Sequence, residues 1–213
     1  VADQKAQEML AVFQGAEGTW AQQLAVLPIA EMVGALEETG QLDNTIVIFM
    51  SDHGEMLGDH GFYLKGPHFY DEAVRVPLIF SWKDRIQSEV RADCLMELID
   101  IAPTLLEASG IDIPDYIQGR SLMPILLGQA PADRHRDYVF SEYYNAWTHK
   151  HSYGSMLRTR DEKVVVYHGT DQGELYDLKN DPNEFENHWN DRSHTEIKMR
   201  LLKACFDASV FTM

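Results

Sequence analysis

The sequence predicts an α/β core that passes into a small antiparallel sheet closed by a terminal helix. A helical apolar pattern feeds the continuous run Thr45-Ile46-Val47-Ile48-Phe49-Met50, whose β-branched character suits a strand buried on both faces. A second such run extends from Val76 to Trp82. After Gly128-Gln129-Ala130-Pro131 the segments shorten and alternate with turn residues, which sets a core portion, 1–130, apart from a C-terminal subdomain, 131–213.

Between Trp20 and Thr39 the apolar residues Leu24, Leu27, Met32, Val33 and Leu36 keep close to helical spacing, and Gly40 supplies a C-terminal stop. Pro28 either opens this helix or kinks it. Pro77 stands at the start of the second strand, where a missing N–H is tolerated. Leu95 to Ser109 reads as an amphipathic helix stopped by Gly110, and the core pattern continues to about Leu127. The short runs Tyr138–Tyr143, Met156–Thr159, Lys163–His168 and Glu174–Asp177 form the antiparallel sheet, and a helix over Thr195–Ala208 packs on it.

Composition excludes several classes. The chain has 213 residues, enough for a real core, and 34 acidic against 18 basic side chains, a formal net charge of −16. Such a field repels nucleic acid and anionic lipid, so an anionic substrate has to be drawn in locally by a metal ion or a few placed cations. Cys94 and Cys205 are too few and too far apart for a zinc ribbon or a disulfide framework. No apolar run reaches membrane-spanning length, and Val1-Ala2-Asp3-Gln4-Lys5 lacks the layout of a signal peptide, which leaves the compartment undetermined. An opening without Met points to a processed chain or a fragment.

The densest reactive cluster, Asp52-His53-Gly54-Glu55-Met56-Leu57-Gly58-Asp59-His60-Gly61, follows the first strand at its C-terminal end, the edge at which open α/β sheets bind ligands. Adjacent strand residues face opposite ways, so Asp52 and His53 share one ion only if the chain bends, and Gly54 permits the bend. A carboxylate beside an imidazole favours manganese or zinc, with calcium or magnesium as the second choice. An ordinary Asp-His-Gly turn fits the same residues. Lys65 is a candidate for the charged oxygens of a sulfate or phosphate-type ester. His68 reads as a packed loop histidine before a proton donor, Asp59 and His60 as groups that order the loop or support a metal shell, and Asp71-Glu72 as structural. A zinc site built from His53, His60 and His68 is weaker, because their spacing matches no single helical face.

The order Ser51-Asp52-His53-Gly54, Gly58-Asp59-His60-Gly61, Lys65-Gly66 and Arg75-Val76-Pro77 resembles the second active-site block of sulfatases, arylsulfatases included, and of phosphonate monoester hydrolases in the alkaline phosphatase superfamily. Leu98-Ile99-Asp100-Ile101-Ala102-Pro103-Thr104, Gln118-Gly119-Arg120-Ser121-Leu122, Glu174-Leu175-Tyr176-Asp177-Leu178 and Asp181-Pro182-Asn183-Glu184 resemble later landmarks of that family. The resemblance implies an alkaline-phosphatase-like α/β sandwich, Asp52 and His53 as ligands of a divalent metal, and Lys65 on the ester. Many relatives carry Asn where this chain has His53, and the histidine resembles the phosphonate hydrolase branch. The family nucleophile is a cysteine or serine converted to formylglycine in the missing N-terminal half; neither Cys94 nor Cys205 stands in the required motif.

These residues lead to the expectation of a fragment of a metal-dependent hydrolase of sulfate, phosphonate or phosphate esters, inactive alone, with a small-molecule ester as substrate. Self-association through surface left open is expected with it. The alternative is a non-catalytic binding or folding module with a vestigial metal loop.

Overall fold

In the computed structural model residues 30–144 and 152–211 are described. A helix over 30–38 (α1) ends at Gly40, whose φ of 68° places it in the left-handed region that a C-cap glycine occupies. The expected first turns of this helix, from Trp20 and including Pro28, lie outside the described residues. Val33 and Leu36 of α1 pack with Leu42 and Val47, which seats the helix on the start of β1, Val47–Met50.

Strand β1 pairs antiparallel with β2, Leu78–Ser81, in the register Val47 to Ser81 and Met50 to Leu78. The expectation of a strand buried on both faces is corrected here. Of β1 only Val47 is buried, and Met50 is 40% exposed, because among the described residues these two strands pair only with each other and carry little cover. A one-turn helix α2, Asp71–Val74, precedes β2.

The helix expected from Leu95 begins later. Leu95 makes an isolated antiparallel bridge with Arg136, a 3-10 turn spans Leu98–Asp100, and α3 runs over Ile101–Ala108. Glu97 stays extended and forms a capping box with Asp100, each side chain accepting from the other's backbone N–H. The buried carboxylate of Asp100 fixes the start. It accepts from the backbone N–H of Glu97 at 2.9 Å and of Arg120 at 2.7 Å, and the Arg136 guanidinium closes on both its oxygens. Burial opposes the charge on Asp100, but Arg136 and these N–H groups outweigh it and hold the carboxyl below its ordinary value. The short helix α4, Met123–Leu126, follows.

Strands β3 (Val139–Tyr144), β4 (Tyr153–Arg158), β5 (Glu162–Tyr167) and β6 (Gly173–Asp177) form an antiparallel meander. Phe140, Leu157, Val164 and Leu175 stand opposite one another across the four strands. That row packs against Leu201, Cys205 and Ala208 of α5, Thr195–Phe211. Each aliphatic side chain fully buried there contributes about 1.5–3 kcal/mol. Burial also pushes the Cys205 thiol up to about 11, which keeps it inert.

The other face of the meander carries Met156, Arg158, Lys163, Val165, Tyr167, Glu174 and Tyr176, and it is covered by the segment around Phe69 and α2. Gly154 is required there, since an added Cβ would lie 2.7 Å from the Phe69 ring. The C-terminal sheet is thus a layer between α5 and the chain that leads out of the Asp-His-Gly loop.

Candidate metal centre and anion loop

The chain leaves β1 through Ser51, whose hydroxyl donates to the His53 carbonyl at 2.7 Å and draws the loop into a turn. Asp52 Oδ1 accepts from the His53 backbone N–H at 3.1 Å, so the two neighbouring side chains fold toward one side. His53 Nδ1 stands 2.8 Å from the Gly54 carbonyl oxygen. A carbonyl only accepts, so Nδ1 carries a proton, and in the neutral ring that leaves the lone pair on Nε2. That Nε2 lies 3.6 Å from Asp52 Oδ2, and the side chains are 39% and 84% exposed.

Gly54 serves this corner differently from the bend expected of it. Its φ is not positive; instead an added Cβ would meet the Glu72 carbonyl oxygen at 1.9 Å. The Gly54 N–H donates to the Ala73 carbonyl at 2.8 Å, so the loop lies directly on α2. Helix α2 is in turn held by the sheet. Lys163 is fully buried, and its Nζ reaches the Phe69 carbonyl at 2.9 Å, Asp71 Oδ1 at 2.8 Å and the Glu184 carboxylate. Glu184 Oε2 accepts from the Asp71 backbone N–H at 2.8 Å. Burial works against the Asp71 charge, but Lys163, Arg158 and Arg75 hold its carboxyl below the ordinary value. For Glu184 burial wins, and its carboxyl is raised despite Lys163. Glu184 adopts a φ of 57°, strained for a side-chain-bearing residue, and the Asp181-Pro182-Asn183-Glu184 turn thereby aims its carboxylate inward.

Residues 55–68 form a compact turn pinned by hydrogen bonds from Leu57 N to the Tyr63 carbonyl and from Gly58 N to the Phe62 carbonyl, at 3.1 and 2.8 Å. Asp59 is exposed, while the His60 ring stacks on Tyr70 at 3.8 Å and lies 3.8 Å from Glu72. His68 tilts against Phe62 at 3.9 Å, and burial with the nearby His60 lowers its pKa, which favours the neutral ring. Lys65 occupies the exposed turn between these rings. No hydrogen bond or ion pair joins it to Asp52 or His53 among the described residues. His53, His60 and His68 do not converge either. The one trio of potential ligand atoms that does, among the described residues, is His188, Asp191 and His194.

The cluster of buried Lys163 and Glu184 with half-buried Asp71 is not legible in the sequence. Lys163 sits in an alternating strand where charge signals solvent, and no local cue marks it as buried. The sequence marks Asp71 as structural but gives no sign of its partner.

Residues 58–209 match the family described as N-sulphoglucosamine sulphohydrolase, C-terminal. The chain belongs to this sulfatase family. The N-acetylglucosamine-6-O-sulfatase of Bacteroides thetaiotaomicron is 35% identical over 180 residues, which cover 82% of this chain and 32% of that protein. A solved protein in complex with D-glucosamine-2-N,6-O-disulfate matches with a TM-score of 0.77 at 28% identity over 95% of this chain and 45% of that one. A phosphonate monoester hydrolase from Silicibacter pomeroyi matches with a TM-score of 0.79 at 29% identity, over 88% and 39%. The sulfatase chain spans about a third of the length of the first curated relatives it matches. Its fold is the C-terminal part of the alkaline-phosphatase-like architecture, in which Asp100 accepts from the Arg120 N–H and Glu184 from the Asp71 N–H.

Proposed function

We propose that this chain supplies part of the active site of a metal-dependent hydrolase of sulfate esters, with phosphonate and phosphate esters as related substrates. The carrying observation is the corner at the end of β1: His53 Nδ1 donates to the Gly54 carbonyl, leaving Nε2 3.6 Å from Asp52 Oδ2. A backbone acceptor that fixes the tautomer of a ligating histidine is the arrangement a metal site needs. An imidazole with a carboxylate suits manganese or zinc before calcium or magnesium.

A divalent cation held by Asp52 and His53 would supply positive charge to the oxygens of the ester. Lys65, on its exposed turn, meets the same anion and stabilises charge that develops on it. Both local charges are needed, since the chain's net charge of −16 opposes an anionic substrate. Two ligands do not complete a metal shell, so the nucleophile and the remaining ligands come from chain outside these 213 residues. The isolated chain is therefore inactive. Relatives named for sulfated amino sugars make a sulfated sugar the first substrate to assay. Leu57, Tyr63 and Leu64, 68%, 74% and 65% exposed beside the site, favour self-association of the isolated chain.

The test is metal content and sulfate release by a full-length parent and its Asp52→Ala variant. Loss of both supports the assignment, and normal turnover with unchanged metal sinks it. Turnover by the purified 213-residue chain, abolished in Lys65→Ala, refutes the need for the outside segment.

A further inference from the structure

The turn that leads into α5 gathers three side chains which the hydrolase reading does not use. His194 Nδ1 lies 3.0 Å from Asp191 Oδ2, and His188 Nδ1 lies 3.9 Å from the same oxygen. The two imidazoles stack with centroids 4.0 Å apart and planes 12° from parallel, so both Nδ1 edges address one carboxylate. The potential ligand atoms all fall within 4.8 Å of one another. We propose that His188, Asp191 and His194 form a second cation site, for a transition-metal dication such as zinc, separate from Asp52 and His53.

Three arguments support it. Bonds of about 2.0–2.1 Å in a tetrahedral shell put donor atoms roughly 3.3 Å apart, and the observed 3.0 and 3.9 Å to Asp191 bracket that spacing, while the two stacked imidazole planes have to tilt apart to bring both lone pairs onto one ion. Two imidazoles and one carboxylate are the donor set of zinc and its neighbours, not of calcium or magnesium, and three protein ligands leave a fourth position for water. The backbone is also set before any ion arrives. His188 N donates to the Leu175 carbonyl of β6 at 2.8 Å, Asp191 N to the His188 carbonyl at 2.9 Å, and His194 N to the Asp191 carbonyl at 3.2 Å. The side chains are partly open, at 20%, 45% and 25% exposure, which gives an ion entry.

The competing account is a capped helix entry. Asp191 Oδ1 accepts from Ser193 N at 2.9 Å, and the positive end of the helix dipole opposes a cation. The cap engages Oδ1 and leaves Oδ2 to the two rings, so capping and coordination coexist. A cavity of about 230 Å³ beside His194 is lined by Asp161, Glu162, Asp177 and Lys179; with Glu162 paired to Arg200, Asp161 and Asp177 against Lys179 leave a small excess of negative charge to offset the dipole. A bound ion would clamp β6 to the start of α5, which makes the site a structural staple.

The test uses the whole chain, stripped with chelator and titrated with zinc chloride by calorimetry, with cobalt(II) absorption as a report of coordination. The expected result is one saturable equivalent in the wild type and in an Asp52→Ala, His53→Ala variant, with a melting temperature raised by zinc in both. His188→Ala, His194→Ala should lose it. Asp191→Asn, which can keep the helix cap, should bind at least about tenfold more weakly with the zinc-free melting temperature unchanged. Asp191→Asn decides the matter if the double histidine variant does not fold. Zinc held equally by the His188, His194 variant or by Asp191→Asn overturns the proposal. So does its loss with Asp52 and His53, or adventitious, unsaturable binding only.

Discussion

Lys163 Nζ lies 2.8 Å from Asp71 Oδ1, which ties the central strands of the C-terminal sheet to the helix on which the Asp-His-Gly loop rests. This ammonium is fully buried among Asp71, Glu184 and the Phe69 carbonyl. Lys163→Ala should cost about 3–5 kcal/mol, because it leaves the buried Glu184 carboxylate without its cation and removes the nearest of the three cations around Asp71. Urea unfolding measures this, and a double-mutant cycle with Glu184→Gln should show strong coupling. An additive pair would mean that the network is not a unit.

Gly54→Ala should cost about 1–3 kcal/mol by overpacking, since its Cβ would sit 1.9 Å from the Glu72 carbonyl oxygen, a backbone atom that cannot rotate away. The same change should weaken metal retention at Asp52 and His53 in a full-length parent. Gly34→Ala is the control. It lies in α1 with open space around it and should gain roughly 0.5–1 kcal/mol from helix propensity alone.

Stability should peak in mildly acid solution. Asp71 and Asp100 have folded pKa values below the ordinary 3.8, so their contribution is complete above that value and is lost as pH falls through the lower folded values. Glu97, Glu174 and Glu184 are raised by burial above 4.5, so the folded state takes up protons there first and gains stability as pH falls toward 4.5. Urea midpoints measured between pH 3 and 8 should therefore rise on mild acidification and collapse below about 4. A monotonic fall from neutral pH would contradict the burial-driven shifts.

In a full-length parent, His53→Ala and Lys65→Ala should separate. The first should lower bound metal by at least about tenfold, because it removes a donor held by its own carbonyl contact. The second should leave metal content unchanged and reduce turnover by roughly 100-fold, the usual effect of deleting one charge-stabilising donor. Metal assay beside sulfate release distinguishes them. Equal loss of metal in both variants would remove Lys65 from the substrate side.

The local pattern of the sequence was sufficient for the order and type of the C-terminal elements. Alternating runs and turn residues placed β3 to β6 within a few positions, and the periodic stretch after Asp191 placed α5. It also put Asp52 and His53 just past a strand end, since a β-branched run followed by polar residues and glycine is a local signal. The pattern misread the start of α3, where the Glu97 and Asp100 carboxylates engage Phe140 N and Arg136 and hold the preceding residues extended.

The sequence by itself determined the meander, its covering helix and the reactive loop after β1, because periodicity and turn chemistry act over a few residues. Only the tertiary structure decided which charges are buried, why Gly54 is a glycine, and that His188, Asp191 and His194 converge. Asp71 meets Lys163 across 92 positions and Glu184 across 113, and no local preference encodes contacts made at such separation. They follow from packing the sheet between α5 and the loop, which removes water from Lys163 and leaves two carboxylates and the Phe69 carbonyl to satisfy it.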